Sequence, residues 1–124
     1  MLRHEERLNG VDEGLASVVR LAAQWYTDGD LVVLEGLRTK ERQAQLVKAG
    51  ASWTMNSRHL TGHAVDVAPM LDGEVSWHWP HYHVLARYMR AAAIELGVTL
   101  EWGGDWVKTP DGPHWQIPRW EVTA

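Results

Sequence analysis

Apolar residues recur every three or four positions in several stretches of the chain, and this spacing predicts amphipathic helices that pack one face on a core. Residues suited to helix caps stand before these stretches, and glycine or turn residues close them. Three helices are therefore predicted. They begin after Asp12, after Thr39 and near Pro80, and they end near Tyr26, at Gly50 and at Gly97.

Short apolar runs bounded by turn residues predict strands between these helices. The clearest run begins at Leu31 and should continue to about Leu37. Four further strands are predicted: 64–67, ended by Pro69; 74–77, after the Asp72-Gly73 hairpin turn; 98–102; and 115–117. Residues 51–58 should form a loop that carries Trp53 and Met55. This order favours a single α+β domain with a small antiparallel β-sheet and flanking helices.

Composition and charge narrow the functional classes. The 124 residues fit one domain, without repeats or a linker. A formal net charge of -4 offers no basic surface for nucleic acid, and no apolar run is long enough for membrane insertion. The N-terminus is too charged for a signal peptide, so we expect a soluble cytoplasmic chain. Cysteine is absent, so any metal must bind histidine, aspartate or glutamate, which favours a catalytic over a structural site.

Two segments supply residue types that bind metals. His59 and Asp66 stand on either side of a glycine, and His114 follows Asp111 by three positions. Catalytic zinc sites keep three protein ligands and one open position for water. His59, Asp66 and His114 form such a set. Asp111 is the best candidate for the base that takes the proton of the water. Arg38, at the end of a predicted strand, could stabilise the oxyanion that forms.

Other interpretations of these residues stay open. His59 and Asp66 could form a structural hydrogen-bonded pair, and Arg38 an ordinary ion pair. His63 could be a second imidazole ligand, but the glycine between the two histidines disfavours the helix that would hold both rings. Contact with substrate or with a ligand is the better interpretation of His63. Ser57 either caps the local backbone or contacts substrate.

The aromatic and histidine-rich positions carry weaker predictions. The chain has eight tryptophans and no phenylalanine, and the tryptophans are interpreted first as core residues. Trp106 or Trp115 could instead line a cleft. The three histidines at positions 78, 81 and 83 lack carboxylate neighbours and fit no single helical face, so we interpret them as surface residues.

The combined pattern resembles a known family. Ser57-x-His59-x-x-Gly62-x-Ala64-x-Asp66, followed by Asp111-x-x-His114, resembles the D-alanyl-D-alanine carboxypeptidase and L-alanyl-D-glutamate peptidase family of zinc peptidases. Residues 35–39 resemble its substrate-arginine segment, and residues 101–106 the segment before its last ligand. The resemblance runs from about residue 33 to 117 and is closest to short phage endolysins of the L-alanyl-D-glutamate type. Many carboxypeptidase members have glutamate as the base, so an aspartate fits the endopeptidase branch better.

This resemblance implies a fold, a cofactor and a substrate. The fold would be the hedgehog/D-Ala-D-Ala peptidase-like α+β domain, and the substrate would be the stem peptides of peptidoglycan. One Zn²⁺ would bind to His59, Asp66 and His114, with Asp111 as the base and Arg38 contacting substrate. Further candidates for substrate contact are Ser57, His63 and Trp115.

The predicted function is a zinc-dependent endopeptidase that hydrolyses the L-alanyl-D-glutamate bond and lyses a host cell. Residues 1–124 would form the catalytic domain, without a separate wall-binding domain. The protein would act as a monomer on the wall, after a holin-like partner releases it from the host cytoplasm. Two alternatives stay open: a D-alanyl-D-alanine carboxypeptidase of the same family, and a metal-bound recognition module without turnover.

Overall fold

The computed structural model of the chain describes residues 1–52 and 57–118. The three predicted helices are present as α1 (Glu13–Trp25), α2 (Lys40–Lys48) and α3 (Trp79–Leu96). Local chemistry sets where they begin. The Asp12 carboxylate accepts the N–H of Leu15, and the Thr39 hydroxyl accepts the N–H of Arg42. In the described part of the chain, no helix is both long and apolar enough to cross a membrane.

Short strands form one sheet beside these helices. Their bounds are β1 (Leu2–Arg3), β2 (Asp30–Glu35), β3 (Ala64–Leu71), β4 (Glu74–Val75), β5 (Glu101–Trp102) and β6 (His114–Gln116). The order across the sheet is β1-β2-β3-β6-β5, and β4 pairs with the end of β3. All pairs are antiparallel except β1 with β2, which are parallel. The predicted α+β class is confirmed. The sheet is mixed rather than antiparallel, because β1 pairs in parallel with β2. Strand β1 could not be predicted, because it is two residues long and shows no hydrophobic pattern.

The strand predicted over 64–67 continues through Pro69 to Leu71. The backbone N–H of Val67 points away from β2, towards the carbonyl of Pro113. Residues two apart on a strand point the same way, so the nitrogen of Pro69 also faces away from β2. It lies beyond the end of β6, which pairs only with residues 64–66. On that side Pro69 lies opposite Ser76, just past the end of β4, and the Ser76 carbonyl accepts the Tyr82 hydroxyl in place of the N–H that proline lacks.

Other strands are shorter than predicted, and one predicted loop is only partly described. The strand that begins near Leu31 ends at Glu35 rather than Leu37. The strand predicted over 98–102 shrinks to two residues, because the N–H of Val98 still bonds to the carbonyl of Ala93 at the end of α3. In the predicted loop over 51–58, Trp53 and Met55 lie outside the described residues.

Helices α1 and α3 pack against each other and against β3 to form the core. Most of the apolar positions that predicted these two helices are buried, whereas Leu96 at the end of α3 is 43% exposed. Fully buried examples are Leu15, Val18 and Val19 of α1, Leu85 and Met89 of α3, and Val65 and Val67 of β3. Helix α2 differs, because its one buried residue is the polar Gln43.

The end of β2 is tied to the segment that carries His59. An ideal Cβ at Gly36 would lie 2.0 Å from the carbonyl oxygen of Arg7, so only glycine fits there. The carbonyl of Gly36 is 2.8 Å from Nδ1 of His59. In return, the N–H of Arg38 donates to the carbonyl of His59 over 2.9 Å. Two predicted site residues, Arg38 and His59, are thereby held beside each other by the backbone.

Candidate active site

Three predicted ligands converge from three different elements. His59 lies in a short 3₁₀ helix, Arg58–Thr61, while Asp66 of β3 and His114 of β6 are directly paired across the sheet. One ligand atom from each of the three lies within 4.8 Å of the others. Oδ1 of Asp66 is 3.3 Å from Nε2 of His59 and 3.2 Å from Nδ1 of His114. Among the described residues, this is the cluster of histidine and carboxylate groups with the geometry to hold a metal ion.

Hydrogen bonds behind the two histidines orient their rings. Nδ1 of His59 contacts the carbonyl of Gly36 at 2.8 Å, and Nε2 of His114 contacts Oε1 of Gln116 at 2.9 Å. Both oxygens only accept hydrogen bonds, so these nitrogens carry the protons. The amide of Gln116 in turn donates to Glu101 over 2.9 Å. This arrangement leaves an unprotonated nitrogen of each neutral ring directed at Asp66.

The donor set fits a metal ion. With the rings oriented in this way, two nitrogen lone pairs and one carboxylate oxygen face one another, and no hydrogen atom lies between them. Such a group needs a cation at its centre, either a proton or a metal ion. Two imidazoles and a carboxylate are ligands that zinc accepts. His59 and His114 are 2% and 7% exposed, so their ring nitrogens have little contact with solvent.

The shifted pKa values of Asp66 and His114 also favour a positive charge within the cluster. Burial alone would raise the pKa of Asp66, but hydrogen bonds with His114 and His59 outweigh it and hold the pKa well below its usual range. Burial would lower the pKa of His114, but the hydrogen bond and charge of Asp66 raise it above its ordinary value. Asp66 therefore remains a carboxylate, and its charge favours the binding of a cation beside it.

Asp111 lies in the same cleft without belonging to the ligand cluster. Its backbone is fixed from two sides, because its N–H donates to the carbonyl of Gly103 and its carbonyl accepts the N–H of His114. A Cβ at Gly103 would lie 2.5 Å from the Asp111 carbonyl oxygen. Burial and the charge of Asp66 raise the pKa of Asp111. A carboxylate with a raised pKa is better suited to exchange protons near neutral pH.

Arg38 forms the opposite wall of the cleft, held by its neighbours. Its guanidinium makes a two-pronged contact with Glu35, at 2.7 Å from Nε and 2.6 Å from Nη2. Nη1 donates to Gln43 over 2.7 Å and to the hydroxyl of Ser57 over 3.4 Å. The Arg38 side chain is 9% exposed. Its charge is thus fixed in direction, which favours a role in positioning or charge stabilisation over that of a mobile surface cation.

The cleft, about 480 Å³ in volume, contains most of the predicted site residues. Ser57 lines it and also accepts the N–H of His59. His63 does not line it, and its ring bonds to the hydroxyl of Thr61 at 2.7 Å. Trp115 is 1% exposed and stacks on Trp102 in the core. Neither side chain lies where it would contact a substrate in the cleft. The substrate contacts of His63 and Trp115 therefore stay predictions without structural support.

Sequence reasoning missed four residues that position the site. Glu35 and Gln43 fix Arg38, while Gln116 and Glu101 orient His114. Glu101 and Gln116 are opposite each other in the β5–β6 pair, a register that the sequence does not reveal. The two-residue step from His114 to Gln116 on one strand was the available signal, because such residues share a face.

The contact behind His114 leads to a testable prediction. In a Gln116→Leu variant, Nε2 of His114 loses its acceptor, so the ring is no longer held in the tautomer that directs Nδ1 at Asp66. We expect the affinity for zinc to fall by about 10- to 100-fold, as measured by competition with a chromogenic chelator. Gln45→Leu, at an exposed position of α2, is the control and should bind zinc normally. Equal affinity in both variants would contradict this role of Gln116.

Comparison with known proteins gives a consistent result. Residues 2–117 match the family model described as phage L-alanyl-D-glutamate peptidase. The chain is 31% identical over 119 residues to the L-alanyl-D-glutamate peptidase of Escherichia phage T5, covering 93% of this chain and 85% of that protein. It is 36% identical over 112 residues to the enzyme of the same name from Listeria phage A118. That match covers 89% of this chain but only 39% of the Listeria phage protein.

A bacterial relative and a solved structure agree with these matches. The peptidoglycan L-alanyl-D-glutamate endopeptidase CwlK of Bacillus subtilis is 29% identical over 101 residues, which cover 71% of this chain and 60% of CwlK. The crystal structure of the Serratia marcescens L-Ala D-Glu endopeptidase ChiX matches with a TM-score of 0.91 and 46% identity. The match covers 100% of this chain and 95% of ChiX. The similarity therefore extends over both the helices and the candidate site.

Proposed function

Because this chain belongs to the family of phage L-alanyl-D-glutamate peptidases, we propose that it is a zinc-dependent endopeptidase that hydrolyses the L-alanyl-D-glutamate bond of peptidoglycan stem peptides. The observation that carries the proposal is the ligand cluster of His59, Asp66 and His114 with Asp111 in the same cleft. Relatives whose names state this activity support the choice of bond.

Five residues of the cleft have roles in this reaction. Nε2 of His59, a carboxylate oxygen of Asp66 and Nδ1 of His114 would hold the zinc ion. Bound zinc supplies a Lewis acid for the scissile carbonyl and for a water molecule. Asp111 takes a proton from the attacking water and returns it to the leaving amine. Arg38, held by Glu35, provides a fixed positive charge for oxygen atoms of the substrate.

The proposal is tested by digesting purified peptidoglycan with the zinc-loaded protein and identifying the soluble products by mass spectrometry. Peptides with a free N-terminal D-glutamate, together with glycan strands that retain L-alanine, are the expected products. Release of D-alanine alone would show a carboxypeptidase instead. Binding of zinc and peptidoglycan without any product would show a recognition module, and both outcomes would contradict the proposal.

The raised pKa of His114 predicts how zinc binding depends on pH. A proton and the metal compete for Nδ1 of this histidine, so the affinity is highest above its pKa. As the pH falls through that raised pKa, we expect the affinity to drop by about tenfold per pH unit. Activity should fall with it. Chelator competition between about pH 8 and pH 5 measures the effect, and a constant affinity over this range would contradict a metal held by His114.

The setting in which the enzyme acts is a further part of the proposal. We expect a monomer that acts on the bacterial wall as a lysis enzyme, released through a holin-like pore. The phage origin of two relatives supports this role. Analytical ultracentrifugation would test the monomer, and co-expression with a holin in a bacterial host would test release. Lysis without the holin would contradict the need for that partner.

A further inference from the structure

Two large aromatic side chains are exposed beside the candidate site. Trp77 is 68% exposed in the segment between β4 and α3, and Trp79, the first residue of α3, is 43% exposed. Neither contributes to the reaction proposed above. An exposed tryptophan keeps a wide apolar face in water, and two such residues close in sequence suggest a surface for a ligand rather than part of the core.

These tryptophans line a groove of about 240 Å³ together with Pro110, Pro113 and Asp111. We call Trp77, Trp79, Pro110 and Pro113 the aromatic shelf. Asp111 lines both this groove and the catalytic cleft. The two spaces are therefore adjacent at the proposed catalytic base, and a substrate long enough to pass Asp111 would reach the shelf.

Contacts beneath the shelf fix its shape before any ligand binds. The Trp79 ring packs edge-on against Tyr82 and Trp102, with centroid distances of 6.3 and 6.2 Å. The hydroxyl of Tyr82 donates to the carbonyl of Ser76 over 2.7 Å, which holds the segment that leads to Trp77. A surface fixed in this way loses little conformational freedom on binding, which favours affinity.

The charges differ at the two ends of the combined groove. The catalytic cleft is lined by the charged side chains of Glu35, Arg38, Arg58, Asp66 and Asp111. Asp111 is the single charged residue among those described that line the shelf groove. A stem peptide carries its carboxylates on the glutamate side of the scissile bond. On the alanine side, it is joined through a lactyl group to an N-acetylated sugar. The charged cleft, with its two arginines, thus suits the charged peptide, and the mainly aromatic shelf suits the uncharged sugar.

We propose that the aromatic shelf binds the glycan strand of peptidoglycan, with the apolar face of an N-acetylated hexose ring stacked on Trp77, the more exposed of the two tryptophans. This inference rests on the proposed function, because it requires the stem peptide to run from Asp111 towards Arg38. The protein should then bind intact wall more tightly than free peptide, because a free peptide has no glycan to contact the shelf. Binding to the shelf holds the strand while the adjacent stem peptide enters the catalytic cleft.

The test compares Trp77→Ala with Trp25→Ala. Trp25, on α1, is 38% exposed and lines neither groove, so its replacement is a matched control. The probe is peptide-free glycan strands, and isothermal titration calorimetry measures their binding. We expect about 3- to 10-fold weaker binding for Trp77→Ala, the size of one aromatic contact, and no change for the control. Trp77→Tyr keeps an aromatic ring and should retain most of the affinity.

A kinetic measurement separates glycan binding from damage to the catalytic cleft. With intact wall as substrate, Trp77→Ala should raise KM with little change in kcat, and cleavage of a free stem peptide should be unchanged. Equal glycan binding by the variant and the wild type would overturn the proposal. An equal loss of activity on intact wall and on free peptide would also overturn it. So would a wild-type dimer that Trp77→Ala converts to monomers, because a second copy of the chain would then cover the shelf. A failure of the proposed function itself looks different, because the wild type would cleave neither substrate.

Discussion

An Asp111→Asn variant should lose about 10³-fold in kcat on peptidoglycan while it still binds zinc. The amide has nearly the shape of the carboxylate, so the loop that leads to His114 should keep its conformation. It cannot, however, accept a proton from water or return one to the leaving amine. The raised pKa of Asp111 indicates a group suited to such proton exchange. The rate of product release, followed by mass spectrometry, and the zinc content together measure the effect.

The control for this variant is Asp105→Asn. Asp105 is the last residue of a second short 3₁₀ helix, Gly103–Asp105. Its side chain is 62% exposed and forms an ion pair with Arg90 over 2.6 Å. Exposed ion pairs contribute little to stability, so this variant should remain active. If Asp111→Asn retained more than about a tenth of the activity, another group would have to be the base. If it lost its zinc, Asp111 would be a ligand rather than a base.

The sequence predicted the parts of this fold that depend on local interactions. The helices follow from apolar spacing and from caps such as Asp12 and Thr39, which act on backbone groups within three residues. The parallel β1–β2 pair could not be predicted, because it joins Leu2 to Leu31 across the whole of α1. The continuation of β3 through Pro69 could not be predicted either, because it depends on which neighbouring strands reach that residue.

The candidate site likewise has residues that the sequence could predict and residues that it could not. The convergence of His59, Asp66 and His114 could be predicted because metal chemistry restricts the residue types and the motif carries their spacing. The comparisons confirm the family to which that motif points, while the role of the three residues as ligands stays a prediction. The residues that orient the site were not predicted. Glu101 meets Gln116 only through the pairing of two short strands, and Gln43 reaches Arg38 from a buried position on α2. Glutamine and glutamate in such places look like ordinary polar residues until the tertiary contacts are known.

These supporting contacts give the site its rigidity. Three of the candidate site residues are held by a second element: His59 by the end of β2, His114 by β5 through Gln116, and Arg38 by helix α2. Candidate ligands held in this way need little rearrangement to bind a metal ion, which raises affinity. The main contribution of the fold to the site is therefore to orient these side chains.

His59→Ala should abolish stable zinc binding, whereas His63→Ala should leave it unchanged. The two histidines are four residues apart in the same motif, and the sequence alone left both open as ligands. His59 is 2% exposed, with Nε2 at 3.3 Å from Asp66, whereas the His63 ring bonds to Thr61 away from the cluster. The free energy of zinc binding in small protein sites is about 10–16 kcal/mol, and three or four ligands share it. The loss of one ligand should therefore weaken zinc binding by at least about 10²-fold. Zinc content after dialysis and cleavage of peptidoglycan measure both variants, and either a zinc-free His63→Ala protein or a zinc-replete His59→Ala protein would require a different ligand set.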